Sequence, residues 1–440
     1  VAASGENMKV LLVGNGAREH AIAEKVAANA ELCAVMSKRN PAIMKLAKES
    51  WLCDIEDADA VAAAIRGRTF DLGFASPDAT LAAGVSDALE KTGMAIASPS
   101  KAAARIEWDK SFMRSLLAKH HIRGSPRYEV VQNGADALRV IKDYGLVAVK
   151  PLGLTGGKGV RVSGDHFTRI EDKMAYAQSL IDKDGSVLIE EKLVGEEFTL
   201  QAFCDGSRMS AMPPVQDHKR AFEGDRGPNT GGMGSYSTGG ILPFMETRDL
   251  EAGKEILQGV VTAMKREGTP FRGVLYGQFM ATADGLKVIE FNARFGDPEA
   301  MNVLALLEGS LPDVLLSMAE GKLRAPRFSI DSTVVKYIVP DGYPEKPVKD
   351  AELSVDAEAA RRLGASIYYA SVYEKDGRIY TSASRAVGVL GRAKKVEDAE
   401  KAAERACGCV KGPVWHRSDI GTAGLIAERI AHMRSLRDKR

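Results

Sequence analysis

Short apolar runs alternate with helically spaced ones through residues 8–100. Residues 9–13, Lys9-Val-Leu-Leu-Val13, form a continuous apolar run, as expected of a strand covered on both faces. A glycine turn, Gly14-Asn15-Gly16, follows, and residues 18–29 then carry apolar positions at helical spacing. The alternation continues as strand over 32–36, helices over 41–49 and 58–66, strand over 70–75, helix over 81–92 and strand over 94–97. It predicts a parallel sheet in an N-terminal α/β domain. Beyond it, helix is predicted over 101–123, strand over 128–131, helix over 135–144 and strand over 146–150. A glycine-rich hairpin over 153–159 leads into a strand over 160–162, a helix over 169–183 and a strand over 187–191. Residues 212–240 break the pattern, being rich in Gly, Pro, Asp and Asn with no regular period. They read as a long loop, of the kind that is functional or disordered. Strands resume over 274–281 and 286–292. From about residue 329, strands over 333–339, 367–373, 378–381 and 386–390 precede helices over 396–407 and 424–437, a further mixed α/β domain.

Composition narrows the class. A chain of 440 residues suggests about three domains. Hydrophobic residues at 45% and charged residues at 27% are those of a globular protein. Sixty Lys+Arg against 59 Asp+Glu leave a net charge of +1, which argues against a dedicated nucleic-acid or membrane-surface binder. No apolar run approaches the roughly 18 residues of a membrane span. The 5 cysteines are scattered, without zinc-ligand spacing, which favours a reducing, cytoplasmic setting. Residues 1–7 lack a secretory pattern and read as a flexible leader.

Three places carry candidate chemistry. The turn at Gly14 departs from the dinucleotide fingerprint, because Glu19 stands where a small residue is wanted. A phosphate at the helix start and a simple tight turn both remain open there. Lys150 closes a buried strand, and Lys158 sits in the glycine hairpin; a lysine in that position requires a charged partner, and glycines let a loop close over phosphates. Gln278, Glu290 and Asn292 supply one carboxylate and two amides, the oxygen donors Mg²⁺ accepts alongside phosphate and water. Residues two apart share a strand face, so Glu290, Asn292 and Arg294 line one side. A three-residue loop at 283–285 puts Gln278 opposite Glu290, whereas a two-residue turn shifts that pairing by one. His218 lies in the polar cluster Gln216-Asp217-His218-Lys219-Arg220.

Five motifs then occur in order: Gly16-Ala-Arg18-Glu19-His20; the Gln216–Arg220 cluster with Ala-Phe; Gly227-Pro-Asn229-Thr230-Gly231-Gly232-Met233-Gly234; Phe291-Asn292-Ala-Arg294-Phe-Gly-Asp297-Pro-Glu299; and Arg417-Ser-Asp-Ile-Gly421-Thr422. Together they resemble the phosphoribosylamine–glycine ligase family of the ATP-grasp superfamily, from about Met8 to the C-terminal helix. The resemblance implies an α/β and α+β multidomain fold: an N-terminal domain over 8–100, an ATP-grasp core over 101–125 and 193–328, an inserted lid over 126–192 and a C-terminal domain over 329–440. It implies ATP, glycine and 5-phosphoribosylamine as substrates, joined through glycyl phosphate, with Mg²⁺ or Mn²⁺ as cofactor and no nucleic-acid or membrane partner. Lys110, Lys150 and Lys158 would meet ATP phosphates, Glu190, Glu191 and Leu193 the adenine, and Glu197 the ribose. Gln278, Glu290 and Asn292 would hold the metal. Arg294, with Lys150, would be catalytic. Gly14, Asn15 and Gly16 would lie at the acceptor's 5-phosphate, with Asp217, Asn229, Thr230 and Arg294 bordering the substrates. The family usually has Gly-Pro-Glu where this chain has Ser76-Pro77-Asp78, and Asp78 keeps the charge on a shorter arm. A glycine-rich turn of the family is replaced by Lys38-Arg39-Asn40-Pro41-Ala42, and Ser384 replaces another glycine.

Overall fold

A computed structural model describes residues 8–153 and 159–438; Lys158 and the proposed leader lie outside the described residues. The N-terminal sheet is parallel and five-stranded, in the order Glu49–Leu52, Glu31–Met36, Lys9–Val13, Leu72–Ala75, Ala95–Ile96. Val10 to Val13 are fully buried, which is why this central strand reads as an unbroken apolar run. The helix expected over 41–49 ends earlier, at Leu46, and Glu49–Leu52 is an edge strand. Four half-exposed residues at a sheet edge show no alternation from which a strand could be read.

Residues 101–123 are two helices, Lys101–Trp108 and Lys110–Lys119, where one was expected. Asp109 leaves helical geometry and its side chain accepts the Phe112 N–H at 2.9 Å, an N-cap that restarts the helix. The break sets Lys110 at the head of the second helix. The lid sheet runs Tyr128–Val131, Val187–Glu191, Val147–Lys150, Arg161–Val162, backed by helices Gly134–Tyr144 and Ile170–Asp184. Val140, Ile141, Val147, Val149, Ile181 and Ile189 belong to a small core of its own, separate from the main clusters. Facing it is an antiparallel sheet ordered Met209–Ala211, Gly195–Asp205, Arg272–Thr282, Gly285–Asn292.

The segment 212–240 is not structureless. It contains the strands Gln216–Asp217, Arg220–Phe222, Arg226–Asn229 and Gly234–Ser237. Gly234–Ser237 pairs with Ser332–Pro340, about a hundred residues away, and so builds the start of the C-terminal sheet, which continues through Val387–Ala393 to Ala365–Tyr369. Strands this short are stabilised by distant partners rather than by their own periodicity. The last helix, Ala423–Arg437, returns to the core, where Ile426 and Met433 join its apolar cluster and Arg437 meets Asp249 at 2.7 Å.

Candidate active site

The hairpin Arg272–Asn292 reaches the expected pairing by an unexpected route. Its turn has two central residues, with Thr282 opposite Gly285, and this register continues to Phe279 opposite Val288. A register shift then inserts Ile289, after which Gln278 faces Glu290 and Tyr276 faces Asn292. The bulge also lets Leu286, Val288 and Phe291 all enter the apolar core, which an uninterrupted alternation would forbid. The Glu290 carboxylate has no hydrogen bond and no ion pair within 4.0 Å among the described residues. Burial opposes its ionisation, yet Lys219, Lys150, Lys110 and Arg294 hold its carboxyl below the usual carboxylate range. Gln278 donates to Glu197 at 2.6 Å, leaving its amide oxygen for another partner. Among the described residues no trio of His, Cys, Asp or Glu side chains could hold a metal ion. A cation here would rely on Glu290, amide oxygens, phosphate and water, a mixed oxygen set that suits Mg²⁺.

Opposite this strand lie the lysines. Lys150 is nearly buried at the end of Val147–Lys150 and its Nζ is 2.7 Å from Glu190 Oε2. Glu190 also meets Arg114 at 2.7 Å. Burial alone would raise the Glu190 carboxyl, but Arg114 and Lys150 outweigh it and hold it below its ordinary value. The Glu190 side chain is therefore committed to two cations, and only its backbone is left for a base. Glu191 accepts the Arg127 N–H at 2.9 Å, and Leu193 lies half-buried in the turn after that strand. Lys110 donates to the Gly153 carbonyl at 2.9 Å. Burial, partly offset by Glu290, lowers its pKa. Glu197, partly exposed, lies 3.5 Å from Lys219.

Arg294 occupies the junction of the N-terminal domain and the core. Its Nη2 is 2.9 Å from Glu107 Oε1 and 3.3 Å from Asn292 Oδ1. Glu107 is buried, and its second oxygen accepts the Ala293 N–H at 2.8 Å. Burial pushes Glu107 up to about 7, against the pull of Arg294. Asp78, where the chain departs from its expected motif, lies in the field of Arg294 and Arg18, which hold it low despite its burial. At the Gly14 turn, Gly16 N–H donates to Glu19 Oε2 at 2.6 Å. A Cβ on Gly14 or on Gly16 would lie 2.6 or 2.8 Å from the Glu19 side chain, so both glycines make room for a carboxylate folded back over the helix start. Asn15 accepts from the Ser37 N–H and hydroxyl.

In the Gln216–Arg220 cluster, burial and Glu299 raise the Asp217 carboxyl. Lys219, two residues on, is held protonated, against burial, by Glu197, Glu290 and Asp217. His218 is buried away from them, beside Tyr236. Thr230 N–H and hydroxyl both donate to the Lys219 carbonyl at 2.8 Å, and Asn229 pairs with Arg220. The structure thus brings Lys110, Lys150, Glu197, Gln278, Glu290, Asn292 and Arg294 together. Sequence reasoning missed Glu107, Arg114 and Lys219. Lys219 stood in a segment without regular period, and only its place in the Gln216–Arg220 cluster marked it. The two helical residues carried no such signal.

A lid sheet with its own core that sets Lys150 across from an antiparallel sheet carrying the Glu290 carboxylate is the layout of an enzyme of the ATP-grasp class. Models of the phosphoribosylglycinamide synthetase N domain, ATP-grasp (A) domain and C domain match residues 8–107, 108–300 and 333–423. The chain is 49% identical over 437 residues, 98% of each protein, to the phosphoribosylamine–glycine ligase of Methanosarcina acetivorans. The crystal structure of the Thermotoga maritima phosphoribosylamine–glycine ligase superposes with a TM-score of 0.80 at 25% identity, over 93% of this chain and 99% of that one. A biotin carboxylase domain from Hydrogenobacter thermophilus shares the fold, with a TM-score of 0.72 at 15% identity over 98% and 95% of the two chains. The chain belongs to the phosphoribosylamine–glycine ligase family, ATP-dependent carbon–nitrogen ligases of purine biosynthesis that use ATP and divalent metal ions. No helix among the described residues is long and apolar enough to cross a membrane.

Proposed function

We propose that this chain joins glycine to 5-phosphoribosylamine, giving glycinamide ribonucleotide, ADP and phosphate. The observation that carries the reading is the set of cations around Glu290: Lys110, Lys150, Lys219 and Arg294 surround a carboxylate that has no ion pair of its own. Four cations converging on one carboxylate suit a polyphosphate bound with a divalent cation. An oxygen of the glycine carboxylate attacks the terminal phosphorus of ATP, the bond to ADP breaks, and glycyl phosphate results. The amine nitrogen of phosphoribosylamine then attacks the acyl carbon, phosphate leaves with the bonding electrons, and the nitrogen gives up a proton as the amide forms. Activation is required because an oxide is too basic to leave a carboxylate.

Lys110 and Lys150, with Lys158, hold ATP phosphates in this reading. The backbone from Glu190 to Leu193, including Glu191, borders adenine, and Glu197 takes the ribose. Gln278, Glu290 and Asn292 hold Mg²⁺ or Mn²⁺, which when bound offsets charge on the transferring phosphoryl group. Arg294, braced by Glu107, orients the glycine carboxylate or the acyl phosphate. Asp217, Asn229 and Thr230 border the acceptor. Gly14, Asn15 and Gly16 approach its phosphate end, with Asn15 rather than the occupied Gly16 N–H supplying a donor. A closed lid excludes water from the intermediate. The cysteines are unpaired, which supports work in a reducing cytoplasm.

The test is ADP release with ATP and Mg²⁺, adding glycine and fresh phosphoribosylamine separately and together. Release requiring both, with glycinamide ribonucleotide formed, supports the reading. Nucleotide binding without release in the presence of both would overturn it.

A further inference from the structure

Arg114 lies in the helix Lys110–Lys119 and is fully buried. A buried guanidinium is costly unless its charge and its donors are both matched. Here Nε and Nη2 are spent in two directions, while Nη1 has no hydrogen-bond partner among the described residues. Nε donates to Glu190 Oε1 at 2.7 Å, and Nη2 donates to the carbonyls of Val288 and Ile289 at 3.1 and 3.0 Å. Those two carbonyls stand where the hairpin register shifts. A bulge takes an extra residue out of the ladder, and a buried carbonyl left unpaired costs about 1–3 kcal/mol. A planar fork of donors can serve two adjacent carbonyls and a carboxylate at once, which a lysine ammonium on its flexible stem does less well.

The two ends of this contact belong to different parts of the site. Glu190 sits in the lid strand Val187–Glu191, and its other oxygen holds Lys150. Val288 and Ile289 immediately precede Glu290, and the bulge at Ile289 is what sets Glu290 opposite Gln278. One side chain therefore spans the connection between the lid's phosphate lysine and the carboxylate strand of the core.

We propose that Arg114 is a positioning residue that fixes Lys150, through Glu190, relative to the bulge that presents Glu290, so that nucleotide and divalent cation are gripped as a unit. The inference rests on the roles given above to Lys150 and Glu290. It makes the strengthening of ATP binding by Mg²⁺ depend on a residue that touches neither.

The experiment is titration calorimetry of ATP with and without Mg²⁺ on the full chain, comparing wild type, Arg114→Lys, Glu190→Gln and Glu290→Gln. Arg114→Lys keeps the buried charge but not the fork. It is expected to reduce the Mg²⁺ enhancement of ATP affinity by about 10-fold or more, the usual scale for residues behind a metal ligand. In turnover, half-saturating Mg²⁺ rises while KM for glycine stays within about twofold, a split that general loosening of the fold would not produce. An Arg114→Lys enzyme with wild-type Mg²⁺ enhancement overturns the proposal. Should that variant not fold, Glu190→Gln breaks the same connection from the lid side, and an unchanged enhancement there overturns it equally. Glu290→Gln separates the two levels. If it also keeps the wild-type enhancement, the metal reading itself falls. If it alone loses the enhancement, only the role of Arg114 falls.

Discussion

The carboxylate of Glu19 reaches back to the Gly16 amide at 2.6 Å, capping the helix on which it sits. Its other oxygen accepts from Arg18 Nε and from the Ser76 hydroxyl, each at 2.6 Å. The pattern that resembles a phosphate-binding turn in sequence is thus filled by the protein's own anion. It also ties the first helix to the strand end at Ser76, beside Asp78 and Arg294. Replacing Glu19 with Ala removes a cap and leaves Arg18 with the Phe295 carbonyl as its hydrogen-bond partner among the described residues, and with Asp78 and Glu107 as more distant charges. The expected loss is about 2–4 kcal/mol of stability, from the cap and the lost contact partner of a buried cation together. Urea unfolding of Glu19→Ala measures it, and a loss below about 0.5 kcal/mol, the ordinary level for a surface change, would show the cap to be incidental.

Glu290 is expected to matter to chemistry and little to folding. Its carboxylate has no hydrogen bond or ion pair to lose among the described residues, while four cations act on it from around the site. Glu290→Ala should retain the far-UV spectrum of the wild type. ADP release should fall by about 10³-fold, the scale of losing an electrostatic partner of the reacting charge. Activity within tenfold of wild type at ordinary Mg²⁺ would remove Glu290 from the metal site.

The strand Gly285–Asn292 was legible at its site end because Glu290 and Asn292 flank the buried Phe291; it stops there, so Arg294 follows in the bend beyond it rather than on the same strand face. The hairpin turn was not legible. A two-residue connection corrected by a bulge gives the same pairing of Gln278 with Glu290 as the three-residue loop without one, and nothing local separates the two. Residues 212–240 hid their strands for a different reason. Gly234–Ser237 is held by Ser332–Pro340, and that partnership is invisible in a window around either strand. Lys219 lies just past the two-residue strand Gln216–Asp217, so no alternation linked it to Asp217. Glu107 and Arg114 lie in amphipathic helices, where a charged residue reads as solvent-facing; both are turned inward by partners 76 or more positions away, Glu190 for Arg114 and Ala293 for Glu107. Distant pairing of buried charge is the part of such a site that sequence periodicity does not carry.

Lys150 tests the phosphate side independently. Lys150→Met keeps much of the side-chain length and leaves Glu190 still paired with Arg114, so the lid strand should remain folded. Loss of one charged hydrogen bond to phosphate corresponds to about 1.5–3 kcal/mol, or roughly 10- to 150-fold weaker ATP binding. Calorimetry with ATP reads this directly. Unchanged affinity in the folded variant would mean that Lys150 serves only to neutralise Glu190.

His218 should set the acid limit of the fold rather than its catalysis. Neither ring nitrogen has a hydrogen-bond partner among the described residues. Burial, with Arg417 and Arg429 close by, pushes its pKa down to about 3 from an ordinary 6.5. Between those values the unfolded chain binds a proton that the folded chain refuses, so stability is present above pH 6.5 and is lost as pH falls toward 3. His218→Gln removes the titrating group while keeping a polar side chain of similar reach. Urea unfolding from pH 7.5 to 4.5 should show the wild type losing about 2–3 kcal/mol more than the variant across that range. Parallel stability curves for the two proteins would show that the imidazole accepts its proton in the folded chain, and that Asp419, the acidic neighbour also facing it, outweighs the two arginines.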